Sequence, residues 1–256
     1  MEDFYNNIKD NVKNLNITQP LINKNVRTQN EWREEFKKNP KISEEMYIKY
    51  FEFIFSDNKP INGIWLEFGV WSGKTINILS KYADKIYGFD SFIGLPNPTT
   101  DNRTDWRQTH FDKKGVLPKV NNNVKLIKGW FNDTLENFLD NNNNNVSVLH
   151  IDSDLYSSAK YVLNTLKHLL VNGTIVIFDE LINYSGFKEG ELLALYEFCQ
   201  ENPEYNFRPL YVWDNVADYN DKDLNKPQED LTKTGIPFKP FYCTKCCFVI
   251  EIKSTV

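Results

Sequence analysis

The sequence predicts an α/β fold, a mostly parallel sheet with helices on both faces. Three observations carry this. Between residues 61 and 200, short apolar runs alternate with segments of helical periodicity. A glycine-bearing turn, Glu67-Phe68-Gly69-Val70-Trp71-Ser72-Gly73, joins the first run to the helix after it. Later runs end in acidic residues, Asp90, Asp152 and Asp179, at the carboxyl edge where open parallel sheets bind their ligands.

Residues 1–60 read as a polar, largely helical extension and 61–256 as the main domain. Within the extension, residues 43–55 place apolar side chains at helical spacing behind Ser43, an N-cap candidate. This helix is expected to cover a sheet edge or to form an oligomer contact. Strands follow at 63–68, 85–90, 124–129, 146–152 and 174–179, with helices at 73–82, 133–139, 157–170 and 189–199. After Pro203 the rhythm changes. Two closing strands, 207–213 and 247–252, flank a polar stretch, 214–240, that reads as a long loop. The asparagine run Asn141–Asn145 reads as a tolerant surface loop.

The chain's 256 residues, 41% of them hydrophobic, suffice for one large domain with a full core. A net charge of −5 disfavours nucleic acid, whose binders are basic. No apolar run approaches the about 20 residues that cross a bilayer, and the polar start MEDFYNNIKDNVKN does not read as a leader. Three of the four cysteines fall in Cys243-Thr244-Lys245-Cys246-Cys247. Without a second half-site these read as reduced cysteines at a strand start rather than zinc ligands, which suits a cytoplasmic protein.

Three ligands could use the glycine turn. A dinucleotide fingerprint needs glycine at 71 and 74, where the chain has Trp71 and Lys74. A phosphate loop matches at Gly73-Lys74-Thr75, but its first glycine falls on Phe68. An acidic-x-G-x-x-x-G turn, as used for S-adenosylmethionine, is met by Glu67, Gly69 and Gly73. In it the strand-end carboxylate faces the cationic amino-acid half of that cofactor. Asp90, with Ser91 after it, suits two ribose hydroxyls. Gly129-Trp130-Phe131 could flank an adenine ring or simply pack in the core.

A second cluster joins Asp152-Ser153-Asp154 to Asp179-Glu180. Four carboxylates on one edge repel unless a cation sits among them, and a hard ion such as Mg²⁺ would answer that. A carboxylate left off the metal could deprotonate a substrate hydroxyl. Some of these aspartates, Asp154 in particular, could instead cap the following helix.

The turn resembles the E-x-G-V-W-x-G turn of the macrocin O-methyltransferase-like family, class I methyltransferases that act on sugar hydroxyls of antibiotics. Further segments agree in order: Gly88-Phe89-Asp90-Ser91-Phe92-x-Gly94-Leu95-Pro96, Gly129-Trp130-Phe131-x-Asp133-Thr134-Leu135, Asp152-x-Asp154-Leu155-Tyr156-x-Ser158, and Asp179 with an acidic neighbour. The resemblance spans roughly residues 45–200.

It implies a Rossmann-like class I methyltransferase fold, with a seven-stranded, mostly parallel sheet. It also implies S-adenosylmethionine bound by the turn from Glu67 to Gly73 with Thr75, by Asp90 and Ser91, by Gly129 and Trp130, and by Asp152. Mg²⁺ would be held by Asp152, Asp179 and Glu180, with Asp154 as general base. The family usually carries two aspartates where this chain has Asp179-Glu180, so Glu180 departs from its pattern. Residues 97–120, with Arg103, Trp106, Arg107, His110 and Phe111, occupy the place of a substrate lid. The acceptor would be a small molecule or saccharide, and self-association through the N-terminal helices is a further implication. Two other readings stay open on the residues alone: a nucleotide enzyme using Gly73-Lys74-Thr75 and Asp152, and a cofactor-binding protein without activity.

Overall fold

The computed structural model describes residues 1–14, 38–39, 41–96, 108–182, 186–213 and 244–253. The expected stretch 214–240, the greater part of the lid with Arg103, Trp106 and Arg107, and the side chain of His110 lie outside the described residues.

The strands are β1 (Lys13–Asn14), β2 (Ile64–Phe68), β3 (Ile86–Asp90), β4 (Val124–Lys128), β5 (Val146–Ile151), β6 (Ile175–Ile182), β7 (Tyr205–Trp213) and β8 (Thr244–Ile252). They form one sheet in the order β1-β7-β8-β6-β5-β2-β3-β4. Every pairing is parallel except those of β8, which runs antiparallel between β6 and β7. Seven strands were expected, and these are β2 to β8. The eighth, two residues long, comes from the N-terminal extension and pairs with β7. Nothing in the apolar pattern announces it, because its register is set by the neighbour it meets.

The six helices among the described residues are α1 (Glu2–Asn11), α2 (Ile42–Asp57), α3 (Lys74–Leu79), α4 (Phe131–Leu139), α5 (Tyr156–Leu166) and α6 (Glu191–Glu201). They divide between two cores. One face of the sheet packs against α1, α4, α5 and α6, the other against α2 and α3. Helix α5 shows why: Ala159, Val162, Leu163 and Leu166 recur at helical spacing, and all four are buried. Helix α2 buries Met46, Tyr50, Phe51 and Ile54 against central strands, so it covers a face of the sheet rather than the expected edge. It begins at Ile42 with Lys41 as N-cap, two residues before the expected cap Ser43, which falls inside the helix. Strands β5 and β6 are buried along their whole length, as central strands are, although β5 carries Ser147 and His150 and β6 carries Asp179 and Glu180.

Strand β2 is the switch point. Strands β3 and β4 lie to one side of it and β5 and β6 to the other, so the connections after β2 and β5 diverge and open a crevice at the carboxyl edge. Leu163→Ala, which truncates a fully buried α5 side chain, is expected to lower unfolding free energy by about 2–5 kcal/mol in urea denaturation.

Candidate active site

The crevice holds a cleft of about 520 Å³, lined by Gly69 and Trp71 from the β2–α3 turn, Asp90 and Ser91 after β3, Trp130 and Phe131 after β4, and Asp152 and Asp154 after β5. That volume suits a small-molecule site. Leu95, Phe111 and Tyr161 complete its apolar side. Phe111 belongs to the expected lid, whereas Leu95 and Tyr161 carried no ligand role in the sequence pattern.

The turn is shaped by close approach. Gly69 has φ +92°, and a Cβ there would lie 1.7 Å from the Asp152 carbonyl oxygen. Only glycine lets the chain pass. Strand pairing continues into the turn, with the Gly69 N–H donating to the Phe89 carbonyl at 2.9 Å and the Asp152 N–H to the Phe68 carbonyl at 2.8 Å. Asp90 then anchors it. One carboxylate oxygen accepts the N–H groups of Val70 (2.8 Å) and Trp71 (2.7 Å), and the other accepts that of Phe92 (2.6 Å). The Gly73 N–H donates to the Val70 carbonyl at 2.8 Å. These N–H groups are committed internally, so the turn is not an open phosphate cradle. Trp71, at φ +45°, stands 45% exposed at the mouth of the cleft against the edge of Phe111.

Other expected residues lie outside the cleft lining. Val70 and Thr75 are buried, and Ser72, Gly73 and Gly129 shape turns outside the lining. Glu67 is fully buried, with His150 Nδ1 3.4 Å from its carboxylate. The Nε2 of His150 lies 3.7 Å from Asp179 Oδ1. Asp179 Oδ1 accepts the Tyr47 hydroxyl at 2.9 Å, and Oδ2 accepts Lys245 Nζ at 2.5 Å. Glu67, His150, Asp179 and Lys245 thus stand in one row across adjacent strands β2, β5, β6 and β8. Burial alone would lower the His150 pKa, but Asp179 and Glu67 outweigh it and push it up to about 10. Burial would likewise raise Asp179, yet Lys245 and His150 hold it below the usual carboxylate range. Burial raises Glu67, opposed by His150. Asp152 is raised well above its ordinary value by burial and then by the charge of Asp179.

Lys245 reaches Asp179 because of a bulge. The register of β6 on β8 passes from Phe178↔Cys246 to Ile182↔Thr244, so Asp179, Glu180 and Leu181 stand opposite Lys245 alone. The expected trio of Asp152, Asp179 and Glu180 does not come together as a ligand set. Among the described residues no group of three or more His, Cys, Asp or Glu side chains is arranged to hold a metal ion. The sequence pattern did contain the signal, a lysine at the head of the apolar run Cys246-Cys247-Phe248-Val249, where a buried charge demands a partner.

Glu191, at the start of α6, also went unread. Fully buried, it accepts the Ser153 N–H (3.2 Å) and hydroxyl (3.1 Å) on one oxygen, clamping the Asp152-Ser153-Asp154 loop. In that loop Asp154 adopts φ +62°, a conformation few side chains favour. Burial pushes the Glu191 pKa up to about 8, with Glu180 adding and Ser153 opposing. Below the ordinary value of 4.5 the group is protonated whether folded or not, and its contribution to stability is fully present. Between there and about 8 the unfolded chain alone releases the proton, so that contribution is lost as pH rises through this window. Glu191→Gln keeps an acceptor for Ser153 and does not titrate. Its unfolding free energy is therefore expected to fall less than wild type between about pH 5 and pH 9, by on the order of a few kcal/mol in urea titrations.

Three solved structures illustrate what the chain is similar to. The calicheamicin methyltransferase CalS11 shares 22% identity at a TM-score of 0.48, over 70% of this chain and 82% of that one. The O-methyltransferase NovP shares 23% at 0.44, over 62% and 71%. An O-methyltransferase from Bacillus cereus, in complex with SAH, shares 10% at 0.46, over 98% and 91%. No curated protein matches the chain by sequence. Residues 51–202, more than half of the chain, match the family described as Macrocin-O-methyltransferase (TylF). That span takes in the glycine turn, Asp90, the Asp152–Asp154 loop and Glu191, and the chain belongs to this family of S-adenosylmethionine-dependent O-methyltransferases.

Proposed function

We propose that this protein methylates a hydroxyl of a saccharide or glycosylated small molecule, with Asp154 as general base. One observation carries the reading: the glycine turn with Asp90 and the Asp152–Asp154 loop line a single cleft, so a cofactor side and a base side face the same space. The family's own activity, on macrocin, favours a glycosylated acceptor. The net charge of −5 argues against nucleic acid as the acceptor, and no helix among the described residues is long and apolar enough to cross a membrane. Free Cys199, Cys246 and Cys247 fit a reducing cytoplasm. We assign the reaction to residues 61–256, with 1–60 as a helical extension whose exposed faces would serve any self-association.

S-adenosylmethionine supplies a methyl group on a sulfonium, an electrophile that needs only a positioned oxygen. The chain's residues do the positioning. Gly69, Trp71 and Ser91 border the cofactor. Asp90 has acceptor capacity left beyond its three N–H bonds for ribose hydroxyls. Trp130 and Phe131 offer ring faces to a purine. Tyr161 has a hydroxyl without a hydrogen-bond partner among the described residues, available to a ligand. Glu67, Val70, Gly73, Thr75 and Gly129 act from outside the lining, by shaping the turns, and exposed Ser72 belongs to the same turn. Asp152 borders both halves. Asp154, held by its loop, takes the acceptor's proton as the oxygen attacks.

Mg²⁺ at Asp152, Asp179 and Glu180 does not fit these residues as they stand. Both Asp179 oxygens are engaged, one by Tyr47 and one by Lys245, and no step is routed through the ion.

Isothermal titration tests the cofactor half: S-adenosylhomocysteine should bind and ATP should not, and the reverse would overturn the reading. Asp154→Asn tests the base. It should bind S-adenosylhomocysteine like wild type yet lose about 10²–10⁴-fold in labelled-methyl transfer to a panel of glycosides and nucleotide sugars. Wild-type rates in that variant would remove Asp154 from the role.

A further inference from the structure

The acidic edge needs positive charge, and the fold provides it from within. Lys245 is 4% exposed, too buried for its ammonium to be balanced by water. Its Nζ bonds Asp179 Oδ2 at 2.5 Å and the Asp179 carbonyl at 3.3 Å. It also lies 4.9 Å from the centre of the Tyr47 ring and 5.3 Å from that of Trp213, a cation–π seat on two sides. Tyr47 closes the arrangement by donating to the other Asp179 oxygen at 2.9 Å, and His150 stands 3.7 Å from that oxygen. A divalent ion at Asp179 would have to expel the ammonium from this seat, or share a carboxylate with it against cation–cation repulsion.

We propose that Lys245 takes the place of a divalent ion in this chain: its ammonium, seated between Tyr47 and Trp213 and paired with Asp179, is the resident cation of the acidic edge, which therefore takes up no Mg²⁺. The β6 bulge that leaves Asp179–Leu181 opposite Lys245 builds the seat. Asp179 is then a counter-ion and a positioning residue, not a metal ligand. The cleft keeps Asp152 and Asp154 on the reacting side.

The inference concerns the site of the proposed methyl transfer, but its test does not depend on turnover. The full chain is titrated with Mn²⁺, followed by electron paramagnetic resonance, with and without S-adenosylhomocysteine. Wild type and Lys245→Arg, which keeps the cation, should show no saturable site. Lys245→Met strips the cation from the carboxylates and should gain a site at least roughly tenfold tighter than any binding by wild type. Circular dichroism reports whether that variant folds; if it does not, wild type and Lys245→Arg decide. Saturable Mn²⁺ binding by wild type that Asp179→Asn abolishes would overturn the proposal. Silence in both wild type and a folded Lys245→Met would overturn the role given to Lys245. Failure of S-adenosylhomocysteine to bind would instead count against the methyl-transfer reading, so the two failures are distinguishable.

Discussion

The row of buried charges Glu67, His150, Asp179 and Lys245 is the constraint on which the rest of the structure depends. Each residue comes from a different strand of the adjacent set β2, β5, β6 and β8, and acidic and basic groups alternate along the row. A single ion buried here would cost several kcal/mol, and an alternating row offsets that cost only when every member is present and in register. The row therefore demands that β8 enter between β6 and β7, and that β6 bulge at Asp179. It also demands that α2 lie across the face, where Tyr47 donates to Asp179 and the Phe51 ring sits edge-on to His150.

The cleft is built on that foundation. Directly in front of Glu67 the chain makes its glycine turn, held by Asp90, which ties the ends of β2 and β3 together through backbone N–H groups. Asp152, two residues past His150, faces the cleft and still feels the charge of Asp179 behind it. On the other side of the same loop, Glu191 holds Ser153 and lets Asp154 persist at positive φ. Rigid strands and a clamped loop thus fix the carboxylates that line the cleft.

Much of the fold was legible in the sequence because β5 and the first half of β6 are predominantly apolar and α5 repeats its apolar residues at helical spacing. Such patterns report burial directly. The two-residue β1 was not legible, since a strand that short carries no periodicity and exists only through β7. The glycine turn was legible because Gly69 answers a local steric need, and the place of Asp90 because it ends a strand one unit later. The metal was read from a surplus of carboxylates, which is a statement about charge alone and does not say which cation balances it.

What the sequence by itself determined is the order of strands and helices, the place of the glycine turn, and which acidic residues reach the carboxyl edge. These follow from local periodicity and from neighbours in the chain. Only the tertiary structure decided what neutralises that edge. Lys245 meets Asp179 across 66 positions of sequence, and Tyr47 meets it across 132. Those contacts depend on antiparallel insertion, on a bulge and on how a helix docks. Charge pairing in a low-dielectric interior is a property of distance in space, and the order of residues along the chain does not contain it.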